Sequence, residues 1–260
     1  MSLEIIIKTC DGESVHGKNS ERFCQTDKKT LIIKCLTSIL YAVSGRSDDT
    51  KITIIDDASS DECIKSIEHL LESYKHPCEL LIREKRDYNE ATLQYFELAR
   101  DSDKTLVYCV EDDYLHFPNA IAEMEFFYKY AFAQLHGTKD IVLHTFDDPY
   151  NYLSRYMEKS HIVQHNGRHW RTNYYTTCTF FTTPGVISRG WEYFEKFAKN
   201  YGKDPTISEG STINNVWKSE NVQLFTPMPS LALHMQFEAN RDRVVDWKKL
   251  WNIIPEIKNS

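Results

Sequence analysis

Three consecutive carboxylates, Glu111, Asp112 and Asp113, follow an apolar run in KTLVYCVEDDYLHFP, residues 104–118. Side by side they repel one another, and beside a core they are costly unless a cation neutralises them or some stay protonated. A divalent cation meets that need. Two neighbouring carboxylates supply hard oxygen ligands and leave most of the Mg2+ or Mn2+ coordination sphere to water and phosphate oxygens. A solvated acidic turn is the alternative. Acids recur at the ends of two other apolar runs: Asp56 and Asp57 after KITII, and Asp147 and Asp148 after the run that starts at Asp140.

The elements that must position these acids come from the hydrophobic pattern. Thr105–Val110 is apolar, β-branched or aromatic almost throughout, which predicts a strand buried on both faces of a parallel sheet. Its carboxylates then stand at the carboxyl end, where open α/β sheets bind ligands. Strands are also predicted at Leu3–Lys8, Lys51–Ile55 and Glu79–Arg83. Helices are predicted from Lys28, capped by Thr26 or Asp27, from Glu62 to Tyr74, and from Asn89 to Ala99. Four β-α units in a row predict an α/β fold with a mostly parallel central sheet flanked by helices.

Beyond Pro118 a helix at Asn119–Leu135 and a strand at Asp140–Thr145 continue the alternation. Tyr150–Arg171 lacks periodicity and is rich in Tyr, His, Arg and Asn, the signature of a substrate-facing excursion. Its tyrosines, His169 and Trp170 have the chemistry to stack on a sugar ring. A strand at Thr176–Thr182, helices at Trp191–Tyr201 and Ile207–Lys218, a strand at Leu231–Gln236 and a helical tail in 241–260 complete the pattern.

A chain of 260 residues, 41% apolar and 13% aromatic, can bury the core of one compact domain. Its net charge of -7 and lack of a Lys/Arg run exclude a nucleic-acid-coating surface. Seven cysteines without a CxxC pair fit reduced thiols in a cytoplasmic protein. The first residues lack a signal-peptide pattern, and no window reaches the roughly 18 apolar residues of a membrane span.

KTCDG after the first strand, IIDDASSDE after the second, CVEDDYLHFP after the fourth and LALHMQ near the end together resemble a family 2 glycosyltransferase of the GT-A fold. The likeness is carried mainly by residues 3–135. It implies a single domain over 1–260, with a donor-binding half at 1–118 and an acceptor-binding half plus tail at 119–260. It further implies an inverting transfer from a nucleoside diphosphate sugar, a UDP-sugar ahead of a GDP-sugar, to a hydroxyl-bearing glycan acceptor, with Mn2+ or Mg2+. A nucleotidyltransferase of related topology and a non-catalytic nucleotide- or carbohydrate-binding protein are the rival readings. The first usually carries a glycine-rich basic loop after strand one, and Cys10–Lys18 has only two glycines and one lysine.

The resemblance also implies roles. Thr9 and Asp57 fall where the family holds base and ribose, although Asp57 also suits a helix cap. Asp113 matches the direct metal ligand, Asp112 faces ribose or sugar, and Glu111 takes the outer position of the metal motif. His234 matches a late-strand histidine that reaches the same metal; a satisfied core histidine is the alternative. Glu209, in ISEGSTINNVW, occupies the region of the catalytic base, with Asp147 and Asp148 as rivals and Asp204 behind them. Arg86, with Arg83 and Lys8, can meet phosphate charge or be a solvated surface cation.

Overall fold

A computed structural model of the protein describes residues 1–12, 24, 26–46, 49–72, 74–135, 137–152, 159–236 and 245–255. The first half alternates strictly: β1 (Leu3–Thr9), α1 (Lys28–Ser44), β2 (Thr50–Asp56), α2 (Asp61–Glu72), β3 (Cys78–Ile82), α3 (Tyr88–Asp101) and β4 (Leu106–Glu111). Strands β3, β2, β1 and β4 lie side by side and parallel. Every residue of β1 is buried. Ile5 and Ile7 enter one core layer with Tyr108 and Val110, while Ile6 enters the opposite layer with Val107 and Cys109. Alternation of side chains along a strand thus feeds two apolar layers, one on each face of the sheet. Asp27 starts α1 by accepting the Thr30 N–H, and Asp87 starts α3 by accepting from Asn89 and Glu90.

The second half adds β5 (Tyr114–His116), α4 (Ala120–Gln134), β6 (Asp140–Leu143), β7 (Ile162–His165), β8 (Arg168–Asn173), β9 (Phe180–Thr182), α5 (Pro184–Arg189), α6 (Trp191–Asn200), α7 (Ile213–Trp217), β10 (Val222–Met228), β11 (Ala232–His234) and α8 (Trp247–Ile253). The nine-stranded sheet has the order β3-β2-β1-β4-β9-β6-β10-β8-β7. Strand β9 runs antiparallel between β4 and β6, and β10 is parallel to β6. A separate two-stranded sheet pairs β5 with β11 beside the acidic motif.

Three expectations need correction. The stretch predicted as irregular ends in an ordered hairpin, β7–β8, closed by Asn166 and Gly167 with φ of 50° and 78°; two left-handed residues make the turn whose twist matches antiparallel strands. Trp170 on that hairpin is buried and stacked on Phe127 at 4.0 Å between ring centroids, so it is core and not a sugar platform. The helix predicted over Ile207–Lys218 breaks into a 3-10 turn, Glu209–Ser211, and α7. Ser208 and Ser211 cap each other reciprocally, and Thr212, at φ -130° and ψ -96°, leaves the helical region. Most of the loop predicted after β1, residues 153–158 of the irregular stretch, and residues 241–244 and 256–260 of the tail lie outside the described residues.

Candidate active site

Strand β4 delivers Glu111 to the end of the sheet, and the tight turn into β5 presents Asp112 and Asp113. The Met235 N–H donates to the Asp113 carbonyl at 2.8 Å, which ties this turn to the end of β11. Each acid meets its own protein cation. Lys28, the first residue of α1, places its ammonium 2.5 Å from Asp112 Oδ1, and the Cys10 N–H donates to Oδ2 at 2.9 Å. His234 Nε2 lies 3.4 Å from Asp113 Oδ2. Lys8 acts on Glu111 through its charge. It is buried, donates to the Thr92 hydroxyl at 2.8 Å and sits 3.9 Å from the Tyr88 ring centroid, so it is not a solvated cation.

The electrostatics follow from burial set against these partners. Burial pushes Glu111 up to about 6, with the Asp113 and Glu209 charges adding to it and Lys8 and His234 opposing. Burial acts the same way on Asp113, but the His234 charge and hydrogen bond, with Lys28 behind them, hold its carboxyl well below the usual range. For His234 burial favours the neutral ring, and Asp113 reverses that and raises it. Burial dominates at Asp112, which is raised despite Lys28. The His234 ring lies flat on Tyr114, 4.7 Å between centroids at 9°, its direct partner across β5–β11. Tyr114 is fixed in turn by its hydroxyl contact with Thr177 at 2.8 Å.

Asp113 Oδ1 is buried and has no hydrogen-bond partner among the described residues. A buried carboxylate oxygen left bare is expensive, and a hard cation is the partner that suits it. Among the described residues no three His, Cys, Asp or Glu side chains already surround a common point. Asp113 and the His234 ring therefore fit a divalent ion as two protein ligands of a sphere that other oxygens must complete. The fit requires His234 to give up its proton, as metal-bound imidazole does.

Beside this centre, the ends of β1 and β2 form a second cluster. The Thr9 hydroxyl is fully buried and donates to Asp56 Oδ2 at 2.8 Å, while its carbonyl accepts the Asp57 N–H at 2.9 Å. Asp57 Oδ1 accepts the Asp87 N–H at 2.8 Å and faces Arg83 Nε at 3.3 Å. Arg86 is half-exposed and donates to the Ala58 carbonyl at 3.0 Å. Its guanidinium crosses Gly12 so closely that a Cβ there would lie 2.0 Å from Nη1, and a larger residue would displace the Arg86 head from this position.

The rival bases separate by their surroundings. Glu209 opens the 3-10 turn, is half-buried, and its side chain makes no hydrogen bond or ion pair among the described residues; its charge acts on Glu111. Asp147 is engaged: Arg171 Nε lies 3.0 Å from its Oδ1, and the Tyr152 hydroxyl donates to its Oδ2. Asp148 acts through its charge on His234. Asp204 is exposed and bonds Thr206 within its own loop. The fold thus gathers Glu111, Asp112, Asp113, His234 and Glu209 into one electrostatic group, and leaves Thr9 with its hydroxyl turned inward. Sequence reasoning missed Lys28 and the Cys10 N–H, both far along the chain from Asp112; no local pattern marks either.

The glycosyl transferase family 2 model matches residues 26–194 of the chain. No curated protein matches it. Among solved structures, residues 1–349 of S. aureus TarS superpose with a TM-score of 0.50 at 10% identity, over 87% of this chain and 60% of that one. A mannosyltransferase from Pyrobaculum calidifontis, PcManGT, solved with GDP-Man and Mn2+, gives a TM-score of 0.48 at 10% identity, over 85% of this chain and 56% of that one. The chain therefore spans less than two thirds of the length of each of these proteins. Among the described residues no helix is long and apolar enough to cross a membrane.

Proposed function

The chain belongs to glycosyl transferase family 2, and from that premise we propose that it moves a glycosyl group from a nucleoside diphosphate sugar to a hydroxyl of a glycan acceptor, with inversion at the anomeric carbon. Its mixed α/β sheet is the GT-A arrangement. The observation that carries the proposal is the buried Asp113 Oδ1, which has no hydrogen-bond partner among the described residues, on the carboxylate that His234 approaches at 3.4 Å, at the carboxyl end of β4. Asp113 and His234 are the residues that would hold Mn2+ or Mg2+. When bound, the ion supplies positive charge to the leaving diphosphate.

The remaining roles fall to the chain's own side chains. Lys28 and the Cys10 N–H fix both Asp112 oxygens, and their remaining lone pairs face a ribose hydroxyl. Asp57, held by Asp87 and Arg83, accepts from the base, and Thr9 steadies it through the backbone. Arg86 is the half-exposed cation beside the nucleotide. Glu209, whose side chain has no partner among the described residues and whose charge acts on Glu111, takes the proton from the acceptor hydroxyl. Asp148 is the second candidate base; Asp147 is already paired. Seven scattered cysteines without a CxxC pair favour a reducing, cytoplasmic setting. The donor is a UDP-sugar ahead of a GDP-sugar.

Incubation with UDP-glucose, UDP-N-acetylglucosamine and GDP-mannose plus Mn2+ tests this by release of the nucleoside diphosphate. One donor should turn over. Glu209→Gln should lower kcat by about 100-fold or more, the usual size of a lost general base, with nucleotide affinity retained. Unchanged turnover in Glu209→Gln together with loss in Asp148→Asn would move the base to Asp148.

A further inference from the structure

One cation lies at the same end of the sheet but outside the machinery assigned above. Arg171, on β8, is paired across to Thr226 of β10, and only 8% of its surface is exposed. Its guanidinium is fixed on two sides. Nε faces Asp147 Oδ1 at 3.0 Å, and the plane sits 4.6 Å from the Tyr152 ring centroid. The Tyr152 hydroxyl donates to the same carboxylate, so Asp147, Tyr152 and Arg171 hold one another. The outer fork is different: among the described residues neither Nη1 nor Nη2 donates to any acceptor.

The buried nitrogen is Nε, whose approach to Asp147 is an ion pair and not a well-aligned hydrogen bond; Nη1 and Nη2 are not among the buried unpartnered atoms, so the fork stays available as a pair of donors beside a largely buried stem. Two parallel N–H donors in a fixed plane match the two oxygens of a carboxylate or a phosphate. Position decides which ligand this is. Lys8 and Lys28 serve the acids from β1 and α1, within the half that binds the donor. Arg171, on β8, stands across β9, β6 and β10 from the β4 strand that carries the acids. It reaches the centre only through Asp147, whose neighbour Asp148 acts on His234. With a net charge of -7 the chain repels anions at long range, so an anionic acceptor needs a dedicated cation.

We propose that Arg171 recognises an anionic substituent, a phosphate or a carboxylate, on the acceptor glycan. The proposal rests on the glycosyltransferase reading of the neighbouring acids. Asp147 and Tyr152 are positioning residues in it: they hold the fork open toward the acceptor side.

Isothermal titration tests it on wild type, Arg171→Met and Arg171→Lys, with methyl phosphate, methyl β-D-glucuronide and neutral methyl β-D-glucoside as probes. UDP with Mn2+ is titrated in parallel. One anionic probe should bind the wild type more tightly than the glucoside, and which one binds names the source of the charge. Because Arg171→Met removes the positive charge beside the buried Asp147, Arg171→Lys, which keeps the charge, is the deciding variant. Loss of the fork should weaken the anionic probe by about tenfold and leave UDP and the glucoside unchanged. Equal affinity of wild type and Arg171→Lys for the anions, or no anion binding at all, overturns the proposal. So does a matching loss of UDP affinity, which would assign Arg171 to the donor. Absence of UDP binding with anion binding intact would instead overturn the donor site and leave Arg171 as an anion site.

Discussion

Replacing Lys28 by methionine keeps an apolar stem of similar length and deletes the ammonium that lies 2.5 Å from Asp112 Oδ1. Removing one partner of a fully buried pair costs about 3–5 kcal/mol, because the other charge is left without compensation. Here the side chains are 18% and 10% exposed, and the Cys10 N–H still serves Oδ2. Lys28→Met should therefore cost less than the full penalty, about 2–3 kcal/mol. For a domain of this size that lowers Tm by about 4–10 °C. The pH dependence identifies the cause. Burial already raises Asp112 above the usual carboxylate range although Lys28 opposes it, and loss of Lys28 raises it further. A carboxyl whose folded pKa lies above its unfolded value contributes most below the unfolded pKa, and that contribution is lost as pH rises. The deficit of Lys28→Met should thus be largest at pH 7.5 and shrink toward pH 5, measured by urea denaturation of metal-free protein. Adding Asp112→Asn should recover most of it, since the uncompensated charge is then gone. An equal deficit at both pH values, or no recovery in the double variant, would show that the lysine stem matters by packing and that the charge argument is wrong.

The same reasoning applied to Glu111, raised by burial to about 6, makes metal-free Glu111→Gln more stable than wild type by about 1–2 kcal/mol at pH 7.5 and no different at pH 4.5; greater stability of the wild type at pH 7.5 in urea melts would contradict it. Trp170→Ala should cost about 3–5 kcal/mol in the same melts, because Trp170 packs face to face on Phe127, whereas a residue that only stacked on a sugar would leave stability untouched. His234→Ala should weaken Mn2+ binding at least tenfold, read by electron paramagnetic resonance in the presence of nucleotide, with the affinity for nucleotide in chelator preserved; unchanged Mn2+ affinity would remove His234 from the metal site.

The first half of the fold was legible because β1, β2 and β4 are buried on both faces and read as nearly continuous apolar runs, while the edge strand β3 is only partly buried. Asp27 and Asp87 cap their helices by local contacts that sequence displays directly. The second half hid more. The signal for the β7–β8 hairpin was present in Asn166-Gly167, but flanking His, Arg and Gln residues masked the alternation around it. Strand β10 carries Pro227, which argues against a central strand. The structure tolerates it because β6 stops pairing at Leu143 with Phe225, two residues earlier, so the missing N–H is not needed on that side. Strand β5, three residues long, is too short to show any period. In the site, the acids were visible as a run, and the cations that answer them were not. Lys28 reaches Asp112 across 84 positions of sequence, and the packing of α1 against β5 brings the two together. Thr9 shows the reverse: its place in the chain suggested a ligand contact, while its hydroxyl is spent on Asp56.

Asp113 is the anchor of the proposed metal-assisted nucleotide site. The most direct measurement is a thermal-shift panel of UDP, GDP, CDP and dTDP, each with and without Mn2+, on wild type and Asp113→Ala. A ligand that binds the folded state at about a hundred times its Kd stabilises it by about 2.7 kcal/mol. One nucleotide should raise the wild-type Tm only when Mn2+ is present and leave Asp113→Ala unmoved. No shift with any nucleotide, or an equal shift in Asp113→Ala, would contradict the claim and return the three acids to a turn neutralised by Lys8, Lys28 and His234 alone.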